Sequence, residues 1–207
     1  MATKMDSSSS ERLRSVGLVD IKKDDAIDLF QTMLRSRPLP TVTDFNRVLG
    51  LVARSRHHYH VLGLCRRMEL QGIAYDLDTL NIMIKSLRRR RQISSAFAVF
   101  GKILKLGYKP DSETFNTLYS VLSLEGRVLE AVEFVDCMIL SQHVPNLIIL
   151  DSLVNRLCLS GNASEAVALI DRMVKHGCQP AAFTYCPIFN RMCKAGNTAL
   201  ALDLLLT

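Results

Sequence analysis

A spacing of 35 residues recurs through most of the chain and restricts the folds that it can adopt. Four residue types each repeat at this interval or its multiples, and the columns are Ala26, Ala96, Ala131, Ala166 and Ala201; Met33, Met68, Met138 and Met173; Gly72, Gly107 and Gly177; and Pro40, Pro110, Pro145 and Pro180. A fixed period of this length is typical of a solenoid, in which each unit buries its apolar face only against neighbouring units. The sequence therefore predicts a stack of similar units.

Each unit carries the pattern of two amphipathic helices, most clearly in residues 77–111. Apolar residues there fall on one helical face twice in succession, first at Leu80, Met83, Ile84 and Leu87, and then at Ile93, Ala96, Phe97 and Phe100. Gly107 is predicted to end the second helix in a left-handed conformation, and Pro110 prevents that helix from continuing. The predicted fold class is all-α, built from helix-turn-helix units.

This register divides the chain into seven segments. Residues 1–20 are predicted to be a flexible segment whose Ser run and arginines in part match a targeting sequence, although acidic residues interrupt it. Residues 21–41 are predicted to form a partial, degenerate repeat. The predicted repeats that follow are 42–76, 77–111, 112–146 and 147–181, with a truncated fifth repeat at 182–207.

Several other classes of protein are disfavoured by the composition and the motifs. No apolar run approaches the roughly 18 residues needed to cross a bilayer. The cysteines have no C-x-x-C spacing, which favours free buried thiols over disulfides or zinc ligands; they are Cys65, Cys137, Cys158, Cys178, Cys186 and Cys193. His57, His58 and His60 lack partners at metal-ligand spacing, so no metal and no cofactor are expected. Because no catalytic motif is present, no enzymatic activity is predicted.

The phrases that begin and end the units point to one family of helical repeats. A tetratricopeptide unit has a period of about 34 residues and needs Trp and Leu-Gly in its first helix, which are absent here. The first helices begin with FNRVL, LNIMI and FNTLY, and the units end with GYKPD, SQHVPN and HGCQPA. Together with CKAG at 193–196 and AVALIDRMVKHG at 166–177, these phrases resemble the pentatricopeptide repeat family. The run DAIDLFQTMLRSRPLP is similar to the plant restorer-of-fertility-like members of its P class.

The resemblance covers about residues 20–207 and implies a right-handed α-solenoid that reads single-stranded RNA with one base per repeat. In the family, the fifth and last residues of a repeat select the base. The corresponding pairs here are Asn46 with Asp76, Asn81 with Asp111, and Asn116 with Asn146. Asn with Asp implies uracil and Asn with Asn implies a pyrimidine, usually cytosine, so the implied core is 5′-U-U-(C or U). A structural alternative is that these asparagines only cap helices.

Other register positions are weaker candidates for contact with RNA. The second residue of a repeat, which in the family packs on a base, is here Thr43, Asp78, Glu113, Ile148 or Phe183. The fourth repeat pairs Asp151 with Ala181, and the fifth offers Cys186. Carboxylates at the second position oppose a phosphate backbone.

The net charge of +6 is compatible with an anionic partner or with an ordinary solvated surface. The basic run 88–91 allows the same two interpretations, because it could hold phosphates or complement the dipole at a helix end. The sequence leaves both open.

The functional hypothesis is an organellar RNA-binding adaptor, mitochondrial by resemblance, with plastid or cytosol as alternatives; its partners would be single-stranded RNA and other RNA-processing proteins. A protein-binding helical scaffold is a second hypothesis. A third is a shortened family member with little independent function, because the chain ends at Thr207 inside a helix. That end would leave Leu204, Leu205 and Leu206 uncapped and favour self-association.

Overall fold

The computed structural model describes residues 23–194, and all regular secondary structure within that range is helical. The helices are α1 (Lys23–Arg35), α2 (Val42–Arg54), α3 (His58–Leu70), α4 (Leu77–Arg89), α5 (Ile93–Lys105), α6 (Ser112–Leu124), α7 (Val128–Leu140), α8 (Leu147–Leu159), α9 (Ala163–Lys175) and α10 (Ala182–Lys194). The prediction of an all-α helical-repeat fold is confirmed. None of these helices is long and apolar enough to cross a membrane.

The helix starts recur at the predicted interval. The first helix of successive units begins at Val42, Leu77, Ser112, Leu147 and Ala182, and the second begins at His58, Ile93, Val128 and Ala163. Polar side chains fix several of the first starts: Asp76 accepts a hydrogen bond from the Thr79 N–H at 2.8 Å, and Asn146 accepts one from the Ile149 N–H at 3.0 Å. These caps satisfy backbone donors that the helix itself leaves unpaired.

Two turn positions in each unit adopt a left-handed backbone. One series is Arg56, Arg91, Gly126 and Gly161, and the other is Gly72, Gly107, Gln142 and Gly177. The predicted left-handed helix end at Gly107 is confirmed, with φ of 78°. Arg56, Arg91 and Gln142 adopt the same conformation, which is strained for residues with a Cβ atom.

The described residues form two compact units, 23–114 and 115–194. In the first, Phe30 and Phe45 are fully buried and meet edge to face, with ring centroids 5.2 Å apart. In the second, Leu150 and Leu153 are fully buried beside α9 and α10. The Ala and Met columns are buried throughout the described range, which explains their recurrence: Ala26, Ala96, Ala131 and Ala166, and Met33, Met68, Met138 and Met173.

Two predictions about burial need correction. The buried face of α5 consists of Ala96, Val99 and Ile103, whereas Phe97 and Phe100 are only half-buried, because packing selects a face rotated from the predicted one. The cysteines are also not all buried: Cys65, Cys158 and Cys178 are, but Cys137, Cys186 and Cys193 are exposed. The predicted flexible segment 1–20, Ala201 and the predicted uncapped end at Leu204–Leu206 lie outside the described residues.

Candidate nucleic-acid interface

Asn46, Asp76 and Thr79 form a hydrogen-bonded cluster where α2 meets the start of α4. The Asn46 Nδ2 donates to both carboxylate oxygens of Asp76, at 2.8 and 3.0 Å. The Thr79 hydroxyl lies 2.7 Å from the Asn46 Oδ1 and 2.7 Å from the Asp76 Oδ1, so its single hydrogen is shared between two acceptors. The cluster forms because α2 and α4 pack side by side, which brings together residues that are 30 and 33 positions apart.

The same cluster recurs one repeat later, with Asn81, Asp111 and Thr114. The Asn81 Nδ2 lies 3.2 and 3.3 Å from the two carboxylate oxygens of Asp111. The Thr114 hydroxyl lies 2.7 Å from the Asn81 Oδ1 and 2.8 Å from the Asp111 Oδ1. Asp111 also accepts a hydrogen bond from the Thr114 N–H at 2.8 Å. Two successive units therefore hold an amide in the same orientation.

The carboxylates in both clusters are ionised at neutral pH. Burial by itself raises the pKa of Asp76, but hydrogen bonds from the Thr79 N–H and hydroxyl and from the Asn46 amide outweigh it and hold that pKa below its ordinary value. The pKa of Asp111 is lowered in the same way, against burial, by Thr114 and Asn81. An ionised carboxylate only accepts hydrogen bonds, so it fixes the amide nitrogen as the group that faces it.

The predicted pair Asn116 and Asn146 has a different local structure. Asn146 caps α8 through the Ile149 N–H, and no hydrogen bond between the two asparagine side chains occurs among the described residues. The residue equivalent to Thr79 is Ile149, which has no hydroxyl to donate. The two residues therefore do not form the closed cluster seen in the earlier repeats.

In the next repeat, Thr184 again contacts the fifth residue of the preceding unit. Its hydroxyl donates to the Asp151 Oδ1 at 2.7 Å and accepts from the Ala181 N–H at 3.1 Å. Ile148 and Phe183, at the second position of their repeats, are 77% and 58% exposed. Cys186 is exposed, and its Sγ lies 3.8 Å from the carbonyl oxygen of Ala182 in the same helix.

An open groove of about 380 Å³ lies in the first compact unit, and Asn46 is one of the residues that line it. Its lining residues are Thr43, Asn46, Arg47, Gly50, Arg54, Asp78, Ile82, Lys85 and Glu113. The carboxylate of Glu113 forms an ion pair with Lys85, and that of Asp44 lies 3.6 Å from the Arg47 guanidinium. The predicted opposition of Glu113 to a phosphate is therefore reduced by its pairing with Lys85.

Basic residues are grouped near the ends of α2 and α4 in the first compact unit. We call this group the basic edge and define it as Arg56, His58, Arg88, Arg89 and Arg90. The pKa of His58 is lowered mainly by burial and also by the nearby positive charges of Arg89, Arg88, His57 and Arg56. The Arg90 guanidinium lies 5.3 Å from the centre of the Tyr59 ring. Residues 45–68 and 79–110 contain no Asp or Glu, so no acidic residue of these segments compensates the charge.

Three models of one repeat family match the chain: a pentatricopeptide repeat domain at residues 63–123, a PPR repeat at 113–143 and the PPR repeat family at 145–194. Together they cover more than half of the chain. The chain belongs to the pentatricopeptide repeat family.

Relatives in this family are close in sequence but much longer. A mitochondrial pentatricopeptide repeat-containing protein of Arabidopsis thaliana is 56% identical over 126 residues, which cover 61% of this chain and 21% of the relative. A second mitochondrial member from the same plant is 58% identical over 100 residues, or 48% of this chain and 16% of the relative. This chain therefore spans about a fifth or less of the length of these relatives.

Two solved structures share the fold of this chain. A crystal structure of PPR10, a maize protein, in complex with an 18-nt psaJ RNA element matches 96% of this chain and 28% of PPR10, at 25% identity and a TM-score of 0.63. Nuclear proteinaceous RNase P 2 from Arabidopsis thaliana matches 91% of this chain and 42% of that protein, at 13% identity and a TM-score of 0.73. At that identity the second likeness concerns the fold alone.

The structure identifies polar residues of the pentatricopeptide repeats that the sequence pattern did not single out. Thr79, Thr114 and Thr184 are buried and contact the fifth residue of the preceding repeat. Their spacing of 35 residues, or twice that, is a signal in the sequence that could have identified them. The predicted pairs Asn46–Asp76 and Asn81–Asp111 are brought together, whereas Asn116–Asn146 and Asp151–Ala181 are not joined by side-chain hydrogen bonds among the described residues. No three His, Cys, Asp or Glu residues in the described range are grouped as metal ligands would be.

Proposed function

We propose that this chain binds single-stranded RNA in mitochondria, with one base per repeat, and acts by occupying a short pyrimidine-rich site rather than by catalysis. The proposed repeats are 42–76, 77–111, 112–146 and 147–181. The proposed selecting pairs are Asn46 with Asp76, Asn81 with Asp111, and Asn116 with Asn146, and the proposed core is 5′-U-U-(C or U). The observation that carries this proposal is that two successive repeats hold an asparagine amide against an ionised carboxylate in the same geometry.

Similar proteins support an RNA ligand and an organelle. PPR10 was crystallised with an 18-nt RNA element, and its structure matches nearly the whole of this chain. Several relatives carry the word mitochondrial in their names. This chain corresponds to only part of those proteins, so the RNA ligand and the mitochondrial compartment are proposals for this chain.

The hydrogen-bonding groups of the clusters match the edge of uracil. One N–H of the Asn46 Nδ2 can be shared by the two carboxylate oxygens of Asp76, which leaves the second N–H to donate to the uracil O4. The Asp76 carboxylate has further lone pairs that can accept from the uracil N3–H, directly or through a water molecule. Cytosine reverses both groups, since it presents an amino donor and a ring acceptor. The Asn81–Asp111 pair has the same chemistry.

Basic side chains in the groove would supply the part of the RNA affinity that does not depend on base sequence. Arg47 and Arg54 line the groove next to Asn46, and Lys85 lies near them in its pair with Glu113. Such groups bind phosphates with an affinity that falls as the salt concentration rises. Ile148 and Phe183 offer exposed apolar surface for packing on bases in the later repeats.

The basic edge is proposed as a further phosphate contact. Arg56 of this edge and Arg91, which follows Arg90 in the sequence, have φ of 64° and 55° at turn positions where later repeats have Gly126 and Gly161. Keeping arginine there costs on the order of 1–2 kcal/mol of backbone strain. Residues in strained conformations are concentrated at functional sites, which favours phosphate binding over a merely solvated helix end.

Binding by so few repeats is expected to be weak. Each stacked base contributes roughly 1–3 kcal/mol, whereas association costs roughly 4–15 kcal/mol. Affinity should therefore be measured at low salt, by fluorescence anisotropy, with short single strands that contain either U-U-C or A-A-A in a constant flank.

The test compares the chain with the double variant Asn46→Ala, Asn81→Ala. The chain should prefer the U-U-C strand, and the double variant should lose that preference. Thr32→Val, which removes an exposed hydroxyl on α1 outside the groove, is the matched control and should behave as the parent chain. Equal binding to both strands, or none, would contradict sequence-specific recognition; a protein partner recovered after nuclease treatment would then favour a scaffold.

A further inference from the structure

Threonine is the third residue of three repeats, on α4, α6 and α10. In each case its side chain contacts the fifth residue of the preceding repeat. The hydroxyls of Thr79, Thr114 and Thr184 lie 2.7 Å from a side-chain oxygen of Asn46, Asn81 and Asp151, respectively. The contact is kept even where the fifth residue is aspartate and the last residue of the repeat is Ala181. It therefore belongs to the threonine rather than to one selecting pair.

These hydroxyls are enclosed rather than solvated. Thr79 and Thr114 are fully buried, and Thr184 is 1% exposed. A buried hydroxyl that donates to the amide oxygen occupies the end of the asparagine opposite to the one held by aspartate. The amide is thus held at both ends, and turning it over would direct its N–H group at the threonine and its oxygen at the ionised carboxylate.

We infer that Thr79 and Thr114 are positioning residues that lock the amides of Asn46 and Asn81 so that each presents an N–H, and not an oxygen, to the base. This inference rests on the proposed function. A presented N–H suits the uracil O4 and disfavours the cytosine amino group. The threonine therefore contributes to the choice of uracil over cytosine without touching the base.

The third repeat lacks the threonine contact and therefore serves as a natural comparison. Ile149 occupies the threonine position and cannot hold the Asn116 oxygen, and Asn146 is an amide that can either donate or accept. The Asn116 amide can then turn over to offer either group. A repeat of this kind should accept cytosine as well as uracil.

Thr79→Val tests the lock because valine keeps the branched shape and the backbone N–H that Asp76 caps, and removes only the hydroxyl. Affinity is measured for strands containing U-U-C and C-U-C, which differ only at the base assigned to Asn46. The variant should lower the ratio of the two affinities by about three- to tenfold, the range of one neutral hydrogen bond. Thr79→Ser should restore the ratio, and Thr32→Val should leave it unchanged.

A second readout does not depend on RNA. The two side-chain N–H resonances of Asn46 should broaden or exchange faster in Thr79→Val than in the parent chain, because the amide gains freedom to rotate. In addition, Ile149→Thr should increase the preference for uracil over cytosine at the third base.

The outcomes separate the two proposals. If the parent chain does not distinguish U-U-C from C-U-C or from A-A-A, the proposed function fails. If the parent distinguishes them and Thr79→Val has the same ratio and the same Asn46 resonances, the positioning role is overturned. A loss of affinity that is equal for all strands would also contradict the role, since it indicates only a structural effect.

Discussion

The Thr79 hydroxyl lies 2.7 Å from the Asn46 Oδ1, and the Thr114 hydroxyl lies at the same distance from the Asn81 Oδ1. Each contact joins residues 33 positions apart, on adjacent first helices. Because each threonine also bonds the aspartate that caps its own helix, one side chain links the cap, the carboxylate and the amide. The stability and the ionisation of these clusters can therefore be tested without RNA.

The first prediction concerns the pH dependence of stability. The folded-state pKa of Asp76 lies below its ordinary value, so this carboxylate contributes stability that is present above the ordinary pKa of about 3.9. That contribution is lost as the pH falls through the lower folded value. Asp76→Asn, which keeps a side chain able to cap a helix, should lower the denaturant midpoint at pH 7, and the difference from the parent should shrink toward pH 3.

The control for this prediction is Asp171→Asn, which changes an exposed carboxyl on α9. Its unfolding midpoint should follow that of the parent chain across the same pH range. A constant difference between Asp76→Asn and the parent from pH 7 to pH 3 would contradict the assigned ionisation.

The second prediction concerns the left-handed turn at Gln142. Its φ of 61° is strained for any residue with a Cβ atom, and the equivalent residues Gly72, Gly107 and Gly177 avoid that strain. Gln142→Gly should stabilise the chain by about 1 kcal/mol in thermal or chemical unfolding. Gln142→Ala retains the Cβ atom and should give no comparable gain, so equal gains would indicate a side-chain effect instead.

The third prediction concerns the basic edge. Arg56→Gly relieves a left-handed arginine and removes a charge near His58, so it should raise the unfolding midpoint and weaken RNA binding. The loss of affinity should be similar for U-U-C and A-A-A strands, and the slope of log affinity against log salt should fall by about 0.7 for each phosphate that is no longer neutralised. Arg35→Gln, a change at the end of α1, is the control for loss of one positive charge elsewhere. An unchanged salt slope in Arg56→Gly would remove Arg56 from the residues that bind phosphate.

The fourth prediction concerns the ion pair between Lys85 and Glu113 in the groove. Glu113→Gln removes a carboxylate from the groove and releases Lys85 to contact phosphate. Affinity for every single strand should rise, with a steeper salt dependence. Glu133→Gln, an exposed change on α7, should have a smaller effect. Lower affinity in Glu113→Gln would indicate that the pair positions the groove rather than competing with RNA.

The sequence was a good guide to the core and a poorer guide to helix orientation. The Ala and Met columns identified positions that are buried throughout the described range, because only small or adaptable side chains fit where helices pack closely. On α5, two apolar stripes both have helical spacing, and periodicity does not decide between them. Packing selects Ala96, Val99 and Ile103 over Phe97 and Phe100.

The sequence also identified only some of the residues of the candidate site. The family pattern identified Asn46, Asp76, Asn81 and Asp111, whose side chains do meet. It did not identify the threonines, because a polar residue near the start of a helix looks like an ordinary cap until its partner on another helix is known. It also did not reveal that Glu113 is paired with Lys85, since the two residues are 28 positions apart and meet only when helices are side by side.

The sequence by itself determined the period, the all-α class and the register of the repeats, because these follow from local apolar spacing and from glycine and proline at the turns. Only the tertiary structure decided which polar groups meet: Thr79 with Asn46, Thr114 with Asn81, and Lys85 with Glu113. It also gave Arg56 and Arg91 the left-handed turns that glycine occupies in later repeats. The side-chain contacts between helices depend on how successive helices stack. A hydrogen bond or ion pair forms only when that stacking brings both partners within about 3–4 Å.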